Sequence, residues 1–154
     1  MEDFIQAVKA SVEGKGKTSV GTVVKITGDT CEVTRDGLPE LIDVRLNAIS
    51  GDFKNQFTVF PKVGSQVLVL EIENAPAETA VVKWTEVESV KMQIDEFGFN
   101  ADKDGLQISN KGENFRTVIN DMIDELNKIL VIQGNSINKA AMNQIKSRFN
   151  KILK

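Results

Sequence analysis

Residues Phe60–Trp84 read FPKVGSQVLVLEIENAPAETAVVKW, and their reading decides the fold. Pro61-Lys62-Val63-Gly64 supplies turn chemistry, and Gln66–Ile72 then carries the valine and leucine content of a strand. Asn74-Ala75-Pro76-Ala77 interrupts that pattern before Thr79–Trp84 resumes it. Proline cannot donate to a sheet ladder, so Pro76 belongs to the connection between two strands and to neither of them. The pair reads as the second half of a small closed β-barrel.

Upstream, the period is two. Val20, Thr22, Val24 and Ile26 alternate with Gly21, Val23 and Lys25; Gly28-Asp29 then forms a turn into a second strand over Thr30–Thr34. Asp36-Gly37 is a second turn signal, and Leu41–Leu46 makes a third strand. Asn47–Lys62 reads as a longer connection, punctuated by Gly51, Asp52 and Pro61, whose Phe53, Phe57 and Phe60 are expected to cap a barrel mouth or to touch a partner, with capping the favoured reading. Five strands of this length over residues 17–90 fit an OB-like antiparallel barrel. Further upstream, Phe4, Ile5, Val8 and Val12 fall at helical spacing and Gly14 and Gly16 end it, so residues 1–16 are expected to form an N-terminal helix and linker.

Downstream, residues 91–110 read as a short β extension. Lys91–Ile94 and Gly105–Ser109 flank Phe97, Phe99 and the turn Asp102-Lys103-Asp104-Gly105, with Met92, Ile94, Phe99, Leu106 and Ile108 as the apolar set. An isolated hairpin is marginal in water, so this segment needs other strands or other chains. Residues 111–154 read as a helical hairpin. Its first helix, over about Asn114–Val131 with Asn110 and Glu113 as a capping-box start, carries Phe115, Val118, Ile119, Met122, Ile123, Leu126, Ile129 and Leu130 as its stripe. Gly134-Asn135-Ser136 breaks the chain, and a second helix places Ala141, Met142, Ile145, Phe149, Ile152 and Leu153 on one face. One such helix cannot offset its own ordering cost by burying one stripe, so the stripes are expected to face each other and to pack further on the barrel or on copies of the chain. The candidate subunit-interface residues are therefore Met92, Ile94, Phe99, Leu106, Ile108, Phe115, Val118, Ile119, Met122, Ile123, Leu126 and Ile129.

Composition narrows the function classes. The 154 residues contain no histidine, which removes Ser-His-Asp, Cys-His and histidine-zinc chemistry together. Cys31 is the only cysteine, so no internal disulfide or cysteine-zinc site is available. No catalytic residue, metal ligand, cofactor or small-molecule substrate is expected. Gly16-Lys17-Thr18 resembles the end of a phosphate-binding loop, but Ser11 stands where that motif needs glycine and the order of strand and helix is reversed. Asp102 and Asp104 lack the later ligands of a calcium loop. No apolar run approaches the roughly 18–20 residues that span a bilayer, and the first residues are too polar for a secretory signal, so synthesis in the cytoplasm is expected.

The net charge of −3 hides an asymmetry: residues 1–110 hold 11 Lys and Arg against 18 Asp and Glu, and residues 111–154 hold 8 against 4. An acidic barrel without tyrosine, with Trp84 as the large aromatic of its strands, is poorly suited to stacking and neutralising single-stranded nucleic acid. The alternative of an OB-fold binding module rests on the basic second helix, facing nucleic acid or an acidic protein.

Phe60-Pro61-Lys62-Val63-Gly64-Ser65-Gln66-Val67-Leu68-Val69-Leu70, with Ala75-Pro76-Ala77-Glu78 and Ala80-Val81-Val82, resembles the OB domain of phage baseplate assembly protein V and related central-spike proteins. The resemblance covers about Gly21–Trp84. It implies a homotrimer in the virion tail, followed by intertwined β-structure that would begin at Met92–Ile108, with other baseplate, tail-tube or spike-tip proteins as partners. The chain departs from that pattern by carrying no long β-repeat, no histidine for a metal-bearing tip and a helical C-terminal region. What the resemblance implies is a hub or spike base that connects to a separate tip.

Overall fold

The computed structural model describes residues 17–153 apart from 48, 50, 52 and 130–133 and 135. The helix expected over Glu2–Val12 and Leu130 of the stripe lie outside the described residues. The chain divides into two units: residues 17–52 with 58–88, and residues 53–57 with 89 onwards.

The first unit is a closed barrel. Its strands are β1 (Thr18–Thr27), β2 (Thr30–Arg35), β3 (Leu38–Arg45), β5 (Gln66–Glu71) and β6 (Thr79–Trp84); β4 (Asn55–Pro61) precedes β5 in the chain. The barrel order is β1-β2-β3-β6-β5, closed by β5 on β1, with antiparallel ladders except for the parallel pairing of β3 with β6 at Arg45 and Ala80. Counted among barrel strands alone, this is the 1-2-3-5-4-1 order of an OB-like fold.

Its core is small and valine-rich: Val23, Cys31, Val33, Val44, Leu46, Val67, Val69 and Val81, with Ile26, Leu41, Phe60 and Trp84 packed around them. Simple alternation does not fully account for this set. An extra residue at Val24 shifts the β1–β2 register, so Gly21 and Val23 are buried while Val20 and Val24 are exposed. In β3, Cys31 faces Val44 and Val33 faces Leu41, which leaves one residue too many on β3. Asp43 takes the left-handed conformation that absorbs it, at φ 58°. Gly21 is required by close approach: a Cβ there would lie 2.4 Å from Val33 Cγ1 and 2.6 Å from the Thr34 carbonyl oxygen.

Two sequence expectations fail in the long connection. Asn55–Pro61 is a strand, and of the three phenylalanines expected to cap the barrel mouth only Phe60 packs against the core; Phe53 and Phe57 are exposed. Gly51, Asp52 and Pro61 mark the ends of the segment, and they mask the β-forming run Phe57-Thr58-Val59-Phe60 between them.

The second unit is built on a sheet of order β10-β9-β8-β7-β4. Here β7 is Val87–Ile94, β8 Phe97–Asp102, β9 Gly105–Asn110 and β10 Glu113–Asn114. The extension is thus a meander with β8 as an additional strand, and its need for neighbours is met in part by β4 and β10. Lys103-Asp104 forms the two-residue turn between β8 and β9, where the Asp104 amide donates to Asp102 Oδ1 at 2.9 Å. Lys111-Gly112 turns β9 into β10 with φ of 52° and 82°. That hairpin replaces the expected capping box. Asn114 caps the first helix instead, its Oδ1 accepting from the amides of Arg116 at 2.9 Å and Thr117 at 3.4 Å. Helix α1 spans Phe115–Leu126, shorter than the sequence reading, and α2 spans Lys139–Ile152 behind an Asn138 cap.

Candidate subunit interface

The second unit contains little closed core. Among the described residues, the buried hydrophobics of this unit are Ile123 and Leu153, whereas the barrel unit buries ten. The meander explains part of this. Val90, Ala101 and Leu106 stand opposite one another across the strands, as do Met92, Phe99 and Ile108, and Ile94 stands opposite Phe97. Opposed residues point to one side, so these eight form one apolar face. Seven of them are half-buried, and Ile94 is exposed. The other face is polar, with Lys91 opposite Asn100 and Gln107, and Gln93 opposite Gly98 and Ser109. The Gly98 side of that row is tight: a Cβ would meet Ser109 Oγ at 2.8 Å.

The helices pair in an unexpected way. The sequence predicts two apolar stripes facing each other, yet the side-chain bonds that join α1 to α2 form a polar seam. Arg116 Nε and Asn120 Nδ2 donate to Asn150 Oδ1 at 3.0 and 3.1 Å, Asn127 Nδ2 donates to Asn143 Oδ1 at 3.2 Å, and Lys146 Nζ pairs with Asp124 at 2.6 Å. The numbers rise on one helix as they fall on the other, which fixes an antiparallel register. Asn120 and Asn127 are two turns apart, and so are Asn143 and Asn150, so each pair recurs on one helix face. The Oδ1 atoms of Asn120 and Asn127 are buried without a hydrogen-bond partner among the described residues, a cost that a seam of leucines would not carry.

With the seam polar, the stripe is left open. On α1 only Ile123 is buried, at 1% exposure, and Ile119 and Leu126 are half-buried. Phe115, Val118, Met122 and Ile129 remain 43, 47, 50 and 48% exposed. Ile129 lies just past the helix, and the amides of Asn127, Lys128 and Ile129 continue its spiral by bonding Ile123, Glu125 and Leu126 carbonyls. With Leu126 the open stripe runs in steps of three, four, four and three residues, an average of 3.5 that keeps one seam facing a partner helix. An open depression of about 490 Å³ lies along its C-terminal end, between Met122, Glu125, Leu126, Lys128 and Ile129. Glu125 holds Lys128 at 2.6 Å and raises its ammonium above the usual lysine range. Closing the four exposed side chains, each half in water, would contribute roughly 3–6 kcal/mol per chain.

The structure thus brings the twelve candidate residues into the second unit as one sheet face and one helix. Ile123 is already used within the chain and is not available to a partner. Phe53, absent from that set, lies beside Ile94 and Phe97 in a wide depression of about 730 Å³ that also holds Lys54 and Lys111. Its signal was only its aromatic character in a segment read as a loop.

The motifs set aside in the sequence remain unremarkable in three dimensions. Lys17 pairs with Glu71 at 3.7 Å and Thr18 opens a strand, so no helix follows them as a phosphate loop requires. Among the described residues no three acidic or cysteine side chains converge as a metal site, and no helix is long and apolar enough to cross a membrane. Cys31 is buried in the barrel, which pushes its thiol up to about 11 and leaves it unreactive. No protein-family model, curated protein or solved structure matches the chain.

Proposed function

We propose that this chain is a structural, non-catalytic component of a phage or phage-like tail baseplate or central spike, acting in the virion tail as a homotrimeric hub or spike base. The observation that carries the reading is the second unit's incompletely covered apolar surface: a sheet face that is half-buried throughout and exposed at Ile94, and a helix stripe about half in water. A unit that buries two hydrophobic side chains among its described residues gains its core by meeting copies of itself. The barrel's OB-like order and its Phe60–Leu70 motif support the placement in a tail hub, and the absence of histidine supports a role in assembly over chemistry. In that setting the chain connects tail-tube or baseplate proteins to a separate tip.

Light scattering after size exclusion tests this directly. The expected mass is three times 17.0 kDa, about 51 kDa. A monodisperse monomer at micromolar concentration would overturn the reading.

A further inference from the structure

Resting on the trimeric reading, we infer that the helices close as a six-helix ring in which the outer edge of α1 in one copy docks against α2 of the next. The occupant of the open face is a second copy of this chain.

Two edges of the helical pair carry the argument. Each residue turns an α-helix by about 100°, so on α1 Asp121 and Glu125 border the open stripe beside Val118, on the flank opposite the half-buried Ile119. On α2, Ile145, Arg148 and Ile152 lie together opposite the seam residues Asn143, Lys146 and Asn150. Ile145 and Ile152 are 38 and 58% exposed, and neither Asp121 nor Arg148 has an ion-pair partner among the described residues. The α2 edge faces away from the α1 of its own chain, so one chain cannot bring the two edges together. A neighbour can.

The seam fixes the heights at which they would meet. Asn120 sits level with Asn150, Asp124 with Lys146 and Asn127 with Asn143. The same register places Val118 level with Ile152, Asp121 level with Arg148 and Glu125 level with Ile145. Rotation about an axis parallel to the helices preserves height, so each copy offers its neighbour Val118 opposite Ile152 and the Asp121 carboxylate opposite the Arg148 guanidinium, while Glu125, opposite Ile145, keeps its pairing with Lys128. Such a contact is head-to-tail, and it closes into a ring. The remaining stripe of α1 then lines the axis, and α2 occupies the periphery.

Disulfide trapping tests the contact. In the full chain, Val118→Cys with Ile152→Cys is expected to give a covalent trimer on a denaturing gel after mild oxidation, and a monomer after reduction. A scattering mass of a trimer without that bond overturns the inference and leaves the trimeric reading intact. A covalent product that stops at dimer, or grows without limit, also overturns it. A monomeric mass overturns both. A second test guards against a misfolded cysteine variant: Asp121→Arg and Arg148→Asp should each raise the trimer dissociation constant by at least about tenfold, and the double reversal should restore it. Two reversals without effect, or a double reversal without rescue, reject the pairing.

Discussion

Cys31 shows at the scale of one residue how the barrel core governs chemistry. Burial raises its thiol from an ordinary 9.0 to about 11. The folded chain therefore holds the proton through a range in which the unfolded chain has released it. The stability this gives is complete below pH 9 and is lost as pH rises toward 11. By pH 10.5 the loss is about 2 kcal/mol. Comparing denaturant midpoints at pH 8 and 10.5, Cys31→Ala should begin less stable but decline less; equal declines would show that the thiol titrates alike in both states. Cys31 was legible in the sequence as a strand residue, but its inward orientation depended on the registers of β1 and β3. The bulges at Val24 and Asp43 set those registers, and alternation alone does not reveal a bulge.

Local signals located most elements, and their boundaries were decided by competition between caps. Asn110 and Glu113 have the spacing of a capping box, yet Lys111-Gly112 forms a tight turn first and hands the helix to Asn114. Asn114→Ala should remove the two amide bonds at the start of α1 and cost about 1 kcal/mol, seen as a lower thermal midpoint in the full chain. An unchanged midpoint would return the cap to the earlier residues. The polar seam between α1 and α2 was legible in composition, through four asparagines at seven-residue spacing, but apolar stripes dominate a reading based on hydropathy. The polar pairing takes the inner face, and the stripe is pushed outward as a result.

For the whole molecule, the two units differ in how they are held. The barrel closes on itself around its valine core, and the second unit leaves an apolar surface uncovered. A chain ending at Val90 should therefore keep a cooperative unfolding transition and have a monomeric mass, and the full chain should have the mass of a trimer; a trimer from the shortened chain would move the interface to the barrel. It also strips β4 of most of β7, its neighbour in the sheet, so some loss of stability is expected. The sequence by itself determined the barrel strands, the β extension, the two amphipathic helices and the absence of histidine chemistry, because periodicity, turn residues and composition are local properties. Only the tertiary structure decided that β4 joins a second sheet, that asparagines pair the helices and that the apolar stripe of α1 is open. Those outcomes depend on which faces meet across long stretches of chain, and two apolar faces look alike in sequence whether they are buried or exposed.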